Sequence, residues 1–239
     1  MNAIIIGASS GIGHETARLF LHRGWHCGIA ARRTDLLKQL KNEYPELVEV
    51  ETIDITSADA PERLLRLIDR LGGVDLYFHA SGIGKQNRLL ETEIEMRTVD
   101  TNAMGFTRMI DTVFQYMANH GGGHIAAISS IAGTKGLGPA PSYSATKAFQ
   151  NTYLQALEQL ANSRKLNIRF TDIRPGFVDT PLLNDGNRYP LMLKPQNVAK
   201  EIVDSIEKRR HIRIIDWRWR IITGLWHYIP GWVWRRLKL

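Results

Sequence analysis

The chain has 239 residues, 44% of them hydrophobic and 23% charged, which fits one sizeable domain and disfavours disorder, collagen-like repeats and coiled coil. A single cysteine, Cys27, excludes an internal disulfide framework and any multi-cysteine zinc site, and points to a reducing compartment. The formal net charge of +7 is uneven: residues 208–239 hold nine basic side chains and one acid, while the remainder is close to neutral.

The first residues, Met1 to Gly7, lack the basic stretch, apolar core and small-residue cleavage site of a secretory signal, so the chain is expected to start directly in its fold. Short β-branched runs then alternate with longer amphipathic ones, the pattern of βαβ units in a parallel sheet with helices on both faces. Strands are expected at residues 2–6, 26–31, 48–53, 76–80, 124–129, 167–173 and 212–215. Helical patterns cover 12–23, 34–44, 60–71, 92–119 with a break inside, 142–163 and 195–208. No internal repeat or low-complexity linker divides the chain. The expected fold class is α/β: a doubly wound, seven-stranded parallel sheet in a single domain, residues 1–216, followed by an amphipathic tail, 217–239.

The first strand runs into Gly7-Ala8-Ser9-Ser10-Gly11-Ile12-Gly13 and then into an amphipathic helix. Gly7 and Gly11 permit a tight turn, Gly13 lets helix pack on strand, and the free N–H groups of the helix start face negative charge. This placement suits the pyrophosphate of a dinucleotide, with Ser9, Ser10 and Ile12 in the same loop; the alternative is a glycine-rich turn without a ligand. Where an acid commonly accepts the ribose 2′-hydroxyl of NAD, at the end of the second strand, the chain reads Ala30-Ala31-Arg32-Arg33, with no acid before Asp35. Two guanidiniums suit a 2′-phosphate, so NADP(H) is the expected cofactor; the plainer alternative is a pair of solvated arginines opening a helix.

Tyr143 and Lys147 stand four residues apart in a helical pattern, hence on one face. A tyrosine titrating at about 10 is a poor acid or base at neutral pH, and a neighbouring cation favours its phenolate. Ser130 lies thirteen residues before Tyr143, at the end of Ile125-Ala126-Ala127-Ile128-Ser129-Ser130.

With these residues in place, the sequence resembles the classical short-chain dehydrogenase/reductases over roughly residues 2–216. The resemblance rests on the joint order of the Gly7 to Gly13 loop, Asp54-Ile55, Asn102, Ser130, Tyr143 with Lys147, and Pro175-Gly176-Phe177-Val178-Asp179-Thr180. It implies a Rossmann fold and an NADP(H)-dependent oxidoreductase that interconverts a ketone or aldehyde and an alcohol. By that resemblance Tyr143 exchanges a proton with the substrate oxygen, Ser130 holds that oxygen, and Lys147 grips the nicotinamide ribose while lowering the tyrosine's pKa. Asn102 would support a water chain behind the lysine. Asp54, beside Ile55, would read the adenine amine, and Pro175, Gly176, Val178 and Thr180 would line the nicotinamide and its phosphates. Taken singly, Ser130 is also a strand-end cap, Asn102 a buried helix polar group, and Asp54 a cap beside Thr56 and Ser57.

Two positions depart from the family pattern. Ile6 stands where a threonine often precedes the first glycine, and His79-Ala80-Ser81-Gly82 replaces Asn-Asn-Ala-Gly. Ala80, Ser81 and Gly82 keep the cofactor-lining role that the resemblance implies, whereas His79 is either a core substitute or a sign of altered cofactor geometry. No partner lies at ligand spacing from His79, and no metal site is expected.

Residues 181–194 fall where this family builds a mobile lid. Their glycine, prolines and asparagines suit a loop and their Leu, Met and Tyr an apolar ceiling, with Phe177 adding to the wall, so a lipophilic carbonyl substrate is expected. The longest uncharged run of the tail, 221–234, is interrupted by Pro230 and falls short of the roughly 20 residues a spanning helix needs. On a helix, Trp217, Ile221, Ile222, Leu225, Trp226 and Ile229 share a broad face opposite Arg220, Thr223 and His227. Tryptophans interleaved with arginines suit a membrane interface, so peripheral membrane contact near the active-site mouth is one expectation; packing over a neighbouring subunit or the pocket is the other. Nucleic acid is not expected, because a short basic-aromatic tail lacks a reader module. The resemblance further implies a homodimer or homotetramer built through 92–119 and 142–163. The expected location is cytoplasmic, with peripheral contact at the inner face of the membrane. The competing class is a non-enzymatic nucleotide-binding interaction protein docked through its tail, against which the intact Ser130, Tyr143 and Lys147 weigh.

Overall fold

The structure, a computed structural model, describes residues 1–183, 186 and 188–237. Seven strands form one parallel sheet: β1 (Asn2–Ile6), β2 (His26–Ala31), β3 (Val48–Thr52), β4 (Leu76–His79), β5 (Gly123–Ile128), β6 (Ile168–Arg174) and β7 (Ile212–Ile214). Their order is β3-β2-β1-β4-β5-β6-β7. The helices are α1 (Gly11–His22), α2 (Thr34–Glu43), α3 (Ala60–Leu71), α4 (Thr92–Val99), α5 (Phe106–Asn119), α6 (Pro141–Ser163), α7 (Pro195–Glu207), α8 (Trp217–His227) and α9 (Gly231–Trp234). Every strand, and every helix before α8 except the pair spanning 92–119, ends within one residue of its expected bounds.

β1 explains the two-sided architecture. All its residues after Asn2 are apolar, and alternate side chains leave a strand on opposite faces. Ile4 and Ile6 enter the layer filled by α3, α5 and α6, while Ala3 and Ile5 enter the layer filled by α1, α2 and α7. A strand buried on both faces needs such a run, and each fully buried isoleucine contributes about 1.5–3 kcal/mol.

The break expected within 92–119 is a change of helical pitch rather than an interruption. Between α4 and α5 the backbone makes π-helical turns at Asp100–Gly105. A Cβ on Gly105 would come within 2.9 Å of Ile55 Cγ1, so the wide turn lies tight on the segment after β3. Such π-turns often aim a functional side chain, and here Asn102 is fully buried within one.

From β1 the chain runs outward to β2 and β3, then crosses back to β4, opening a crevice at the carboxyl ends of β1 and β4. Each group of expected site residues follows a strand into this end of the sheet: the glycine loop after β1, Arg32 and Arg33 after β2, Asp54 after β3, Ala80 to Gly82 after β4, Ser130 after β5 and Pro175 after β6.

The tail folds back onto the segment between Ser130 and Tyr143. The Trp226 indole donates to Thr134 Oγ1 at 3.0 Å, the Trp234 indole to the Gly136 carbonyl at 2.7 Å, and Lys135 Nζ to the Ile229 carbonyl at 3.2 Å. The docking divides the expected apolar face: Trp217, Ile221 and Leu225 are exposed while Ile222, Trp226 and Ile229 are half-buried, and Thr223, expected opposite that face, is buried with its hydroxyl on the Trp219 carbonyl. The half-buried Trp226 and Trp234 find two acceptors in the 134–136 loop, whereas the buried Trp219 indole N–H has none among the described residues. Lys238 and Leu239 lie outside the described residues. Among the described residues no helix is long and apolar enough to cross a membrane.

Candidate active site

Ser130 leaves β5 in an extended conformation, and its hydroxyl accepts from the Ala132 amide at 3.0 Å, capping the short 3-10 turn Ile131–Thr134. The same hydroxyl also acts on the Tyr143 phenol, favouring its ionised form. Tyr143 and Lys147 are one turn apart on α6, with Nζ 5.7 Å from the centre of the phenol ring. Gly84 backs the ring closely: a Cβ there would lie 2.6 Å from Tyr143 Cδ2.

Burial pushes the Tyr143 phenol above its ordinary value, and the bond from Ser130 opposes that rise. Burial likewise lowers Lys147 to about 8, opposed by the Asp172 carboxylate. Asp172 is itself held by Arg174 at 2.6 Å and by the Ser129 hydroxyl.

Lys147 Nζ donates to the Ile128 carbonyl at 3.0 Å and to Gln150 Oε1 at 2.8 Å. Gln150 Nε2 in turn donates to the Asn102 carbonyl at 2.8 Å. A fully buried side-chain amide therefore spans from Asn102 to the lysine, in the direction where the resemblance implies water. The Asn102 amide exchanges two bonds with the Ile83 backbone, at 2.9 and 2.7 Å, and ties the segment after β4 to the π-turn. Sequence reasoning missed Gln150. Its place three residues after Lys147, on the same helical face, was the available signal.

His79 is wholly buried, with Nδ1 2.9 Å from the Tyr77 hydroxyl and its ring edge-on to Phe106 at 5.0 Å. Burial, then the Lys147 charge, lower it to about 3, against a weaker pull from the Ser81 backbone. The ring packs as a neutral core group, and its Nε2 has no hydrogen-bond partner. Among the described residues no three His, Cys, Asp or Glu side chains converge as metal ligands would.

A dinucleotide fits the opposite side of the crevice. Gly7 and Gly11 take positive φ values of 91° and 58°, and a Cβ on Gly7 would lie 2.7 Å from the Ser81 amide nitrogen. A Cβ on Gly13 would meet the Gly7 carbonyl at 2.4 Å, so only glycine lets α1 start this close to the loop. No side chain caps α1 at Ser10, which leaves its first amides for an anion. Arg33 donates to Ser10 Oγ at 2.6 Å and Ser9 Oγ at 3.1 Å, setting a guanidinium at the rim of the glycine loop.

Arg32 is exposed, and against the desolvation of Asp54 the Thr56 amide and hydroxyl, then the Arg32 charge, lower that carboxyl. Asp54 Oδ1 accepts from the Thr56 amide and hydroxyl at 3.0 and 2.8 Å, bracing the turn after β3. Ile12 packs partly on the core and Ile55 is buried. Ala80 takes its backbone bond from β1 through Ile6, and Gly82 adjoins both Asn102 and Lys147.

On the far wall, the Pro175 carbonyl accepts from the Ile131 amide at 3.2 Å, and Val178 is buried. Thr180 lies over Gly11, where an added Cβ would meet it at 3.1 Å. Gly176 faces the tail instead: a Cβ there would stand 2.2 Å from the indole nitrogen of Trp219. Trp219 packs edge-on to Phe177 at 5.6 Å, and Phe177 meets Tyr189 of the expected lid at 4.7 Å. Within that lid, Asn184, Asp185 and Asn187 lie outside the described residues.

This arrangement has relatives. The short chain dehydrogenase family model matches residues 1–189. An uncharacterized oxidoreductase of Myxococcus xanthus is 34% identical over 236 residues, covering 96% of this chain and 92% of that one. Another, from Mycobacterium tuberculosis, is 30% identical over 243 residues, covering 98% and 95%. Among solved structures, an alcohol dehydrogenase from Thermococcus sibiricus complexed with 5-hydroxy-NADP is 25% identical, with a TM-score of 0.79 and coverage of 90% and 95%. The actinorhodin polyketide ketoreductase with NADPH is 25% identical, with a TM-score of 0.75 and coverage of 86% and 89%. Its sheet order, its glycine loop and the extent of these matches agree: the chain belongs to the short-chain dehydrogenase family and is an oxidoreductase of that family.

Proposed function

We propose that the protein interconverts a ketone or aldehyde and the corresponding alcohol with NADP(H), acting on lipophilic substrates. The observation that carries this reading is the approach of the Ser130 hydroxyl and the Lys147 ammonium to Tyr143 at the open end of the crevice. A bound nicotinamide supplies the hydride in reduction and accepts it in oxidation. Ser130 donates a hydrogen bond to the substrate oxygen, and Tyr143 gives that oxygen its proton in reduction and recovers it in oxidation. Lys147 has two acceptors already, Ile128 and Gln150, and keeps a third N–H for the nicotinamide ribose. Its charge favours the phenolate once the proton has left.

The choice of NADP(H) over NAD is supported by Arg33 on the Ser9 and Ser10 hydroxyls, and by the NADP-type ligands of the Thermococcus and actinorhodin enzymes. Titration with NADPH and, separately, NADH, followed by tryptophan emission at fixed ionic strength, tests it. NADPH should bind about tenfold tighter, and Arg33→Ala should cancel the difference. Equal affinities in the unaltered protein would reject the phosphate preference.

Exposed Met96, Met104, Phe149 and Leu160 support a homo-oligomer through α4, the π-helical turns after it and α6, which sedimentation would measure. The outward tail stripe of Trp217, Ile221, Leu225, Tyr228 and Trp232, flanked by Arg220 and Arg236, supports contact with an anionic membrane surface. Flotation with anionic vesicles should be lost with neutral vesicles and with Leu225→Glu.

A further inference from the structure

A cleft of about 710 Å³ opens between the loop that joins Ser130 to Tyr143 and the end of the tail, lined by Arg88, Lys135, Gly138, Trp234, Arg235 and Leu237 among others. That size falls within the roughly 300–1,000 Å³ of small-molecule sites. Its walls come from three segments. Lys135 and Gly138 lie in the loop between Ser130 and Tyr143, and Arg88 follows Gly84, which backs the Tyr143 ring. The Asn87 amide donates to the Pro139 carbonyl at 2.8 Å and fastens these two walls together, while the end of the tail supplies the third.

Among the described residues, Arg88, Lys135 and Arg235 line the cleft and no carboxylate does. Lys135 Nζ gives a bond to the neutral Ile229 carbonyl and lies 5.6 Å from the centre of the Trp234 ring. Among the described residues, neither Lys135 nor Arg235 enters an ion pair. Like charges around a walled cleft focus a positive potential into it, and guanidinium matches carboxylate and phosphate oxygens in pairs. Trp234 and Leu237 offer the same cleft an apolar wall.

We propose that this cleft is the distal part of the substrate site and binds an oxyanion, carboxylate or phosphate, carried on an apolar chain whose carbonyl reaches Tyr143. The substrate class is then a carbonyl compound with a remote anionic group. This deepens, and rests on, the oxidoreductase reading above.

Two measurements on the full chain test it. In calorimetric titrations, nonanoate and octyl phosphate should bind about tenfold tighter than nonan-1-ol, and the stronger of the two anions names the headgroup. Lys135→Gln and Arg235→Gln should each remove most of that advantage, whereas Tyr143→Phe should leave it unchanged. Arg235 is exposed, so its replacement should leave the thermal midpoint in place. In turnover with NADPH, medium-chain ω-oxo carboxylates should show kcat/KM about tenfold above their methyl esters, and Arg235→Gln should close the gap. Equal turnover of acid and ester, or anion binding indifferent to both substitutions, would overturn the cleft while leaving the oxidoreductase reading intact. Anion binding that depends on Lys135 and Arg235, with no reduction of either acid or ester, would overturn the reading on which the substrate assignment rests.

Discussion

Lys147 is held by the Ile128 carbonyl, from the sheet, and by the Gln150 amide, from its own helix, and that amide is locked in turn to Asn102. The tail, by contrast, is fastened to the 134–136 loop by three hydrogen bonds, two donated by indole tips and one by a lysine. Lys147, Gln150 and Asn102 are buried and bonded one to the next, so each fixes the position of its partner. On the tail the anchors point inward singly, and an apolar stripe from Trp217 to Trp232 stays in solvent. The geometry around Lys147 is therefore set by several elements at once, whereas tail geometry depends on a few insertions. Trp219 against Gly176 is the deepest of these.

The largest effect should come from the centre. Tyr143→Phe should lower turnover by about 10²–10⁴ while NADPH still binds, measured by steady-state rates beside a fluorescence titration. Undiminished turnover would remove the phenol from the chemistry. On the tail, Trp219→Ala should cost about 3 kcal/mol in denaturant unfolding and speed tryptic cleavage at Arg218 and Arg220. If cleavage were unchanged, the tail would be held by more than its point anchors.

A smaller effect sharpens the comparison from inside the buried network. The His79 ring is neutral in the fold, with its pKa lowered from 6.5 to about 3, so the unfolded chain takes up a proton first as pH falls. Its contribution to stability is complete above pH 6.5 and is lost between about 6.5 and 3. His79→Asn should remove this share, about 2 kcal/mol of the loss between pH 7 and pH 5. His124, lowered to about 4, remains in both proteins, so the difference between them isolates His79. Denaturation midpoints of the two proteins falling in parallel would show that the ring is not the acid-sensitive group.

Much of the centre was legible because its residues sit at fixed distances from element ends. Tyr143 and Lys147 share a face by helical period, Ser130 ends β5, and glycines open α1 directly after β1. Gln150 was not singled out, since a polar residue on a buried helical face has no meaning until its two partners are known. The amphipathic reading set Thr223 opposite the apolar residues but did not divide those residues, of which Trp217, Ile221 and Leu225 stay in solvent while Trp226 turns to Thr134. The tail is sorted instead by which indoles find acceptors and which slot lacks a Cβ.

The sequence by itself determined the strands and helices, the phosphate-type turn and the pairing of tyrosine with lysine, because each depends on local period, glycine placement or spacing within one element. Only the tertiary structure decided that Gln150 joins Asn102 to Lys147, that Trp219 fills the space beside Gly176, and that Arg88, Lys135 and Arg235 face one cleft. Those residues come from segments far apart in the chain. Their meeting is set by how helices and tail close over the carboxyl end of the sheet, which no local pattern encodes.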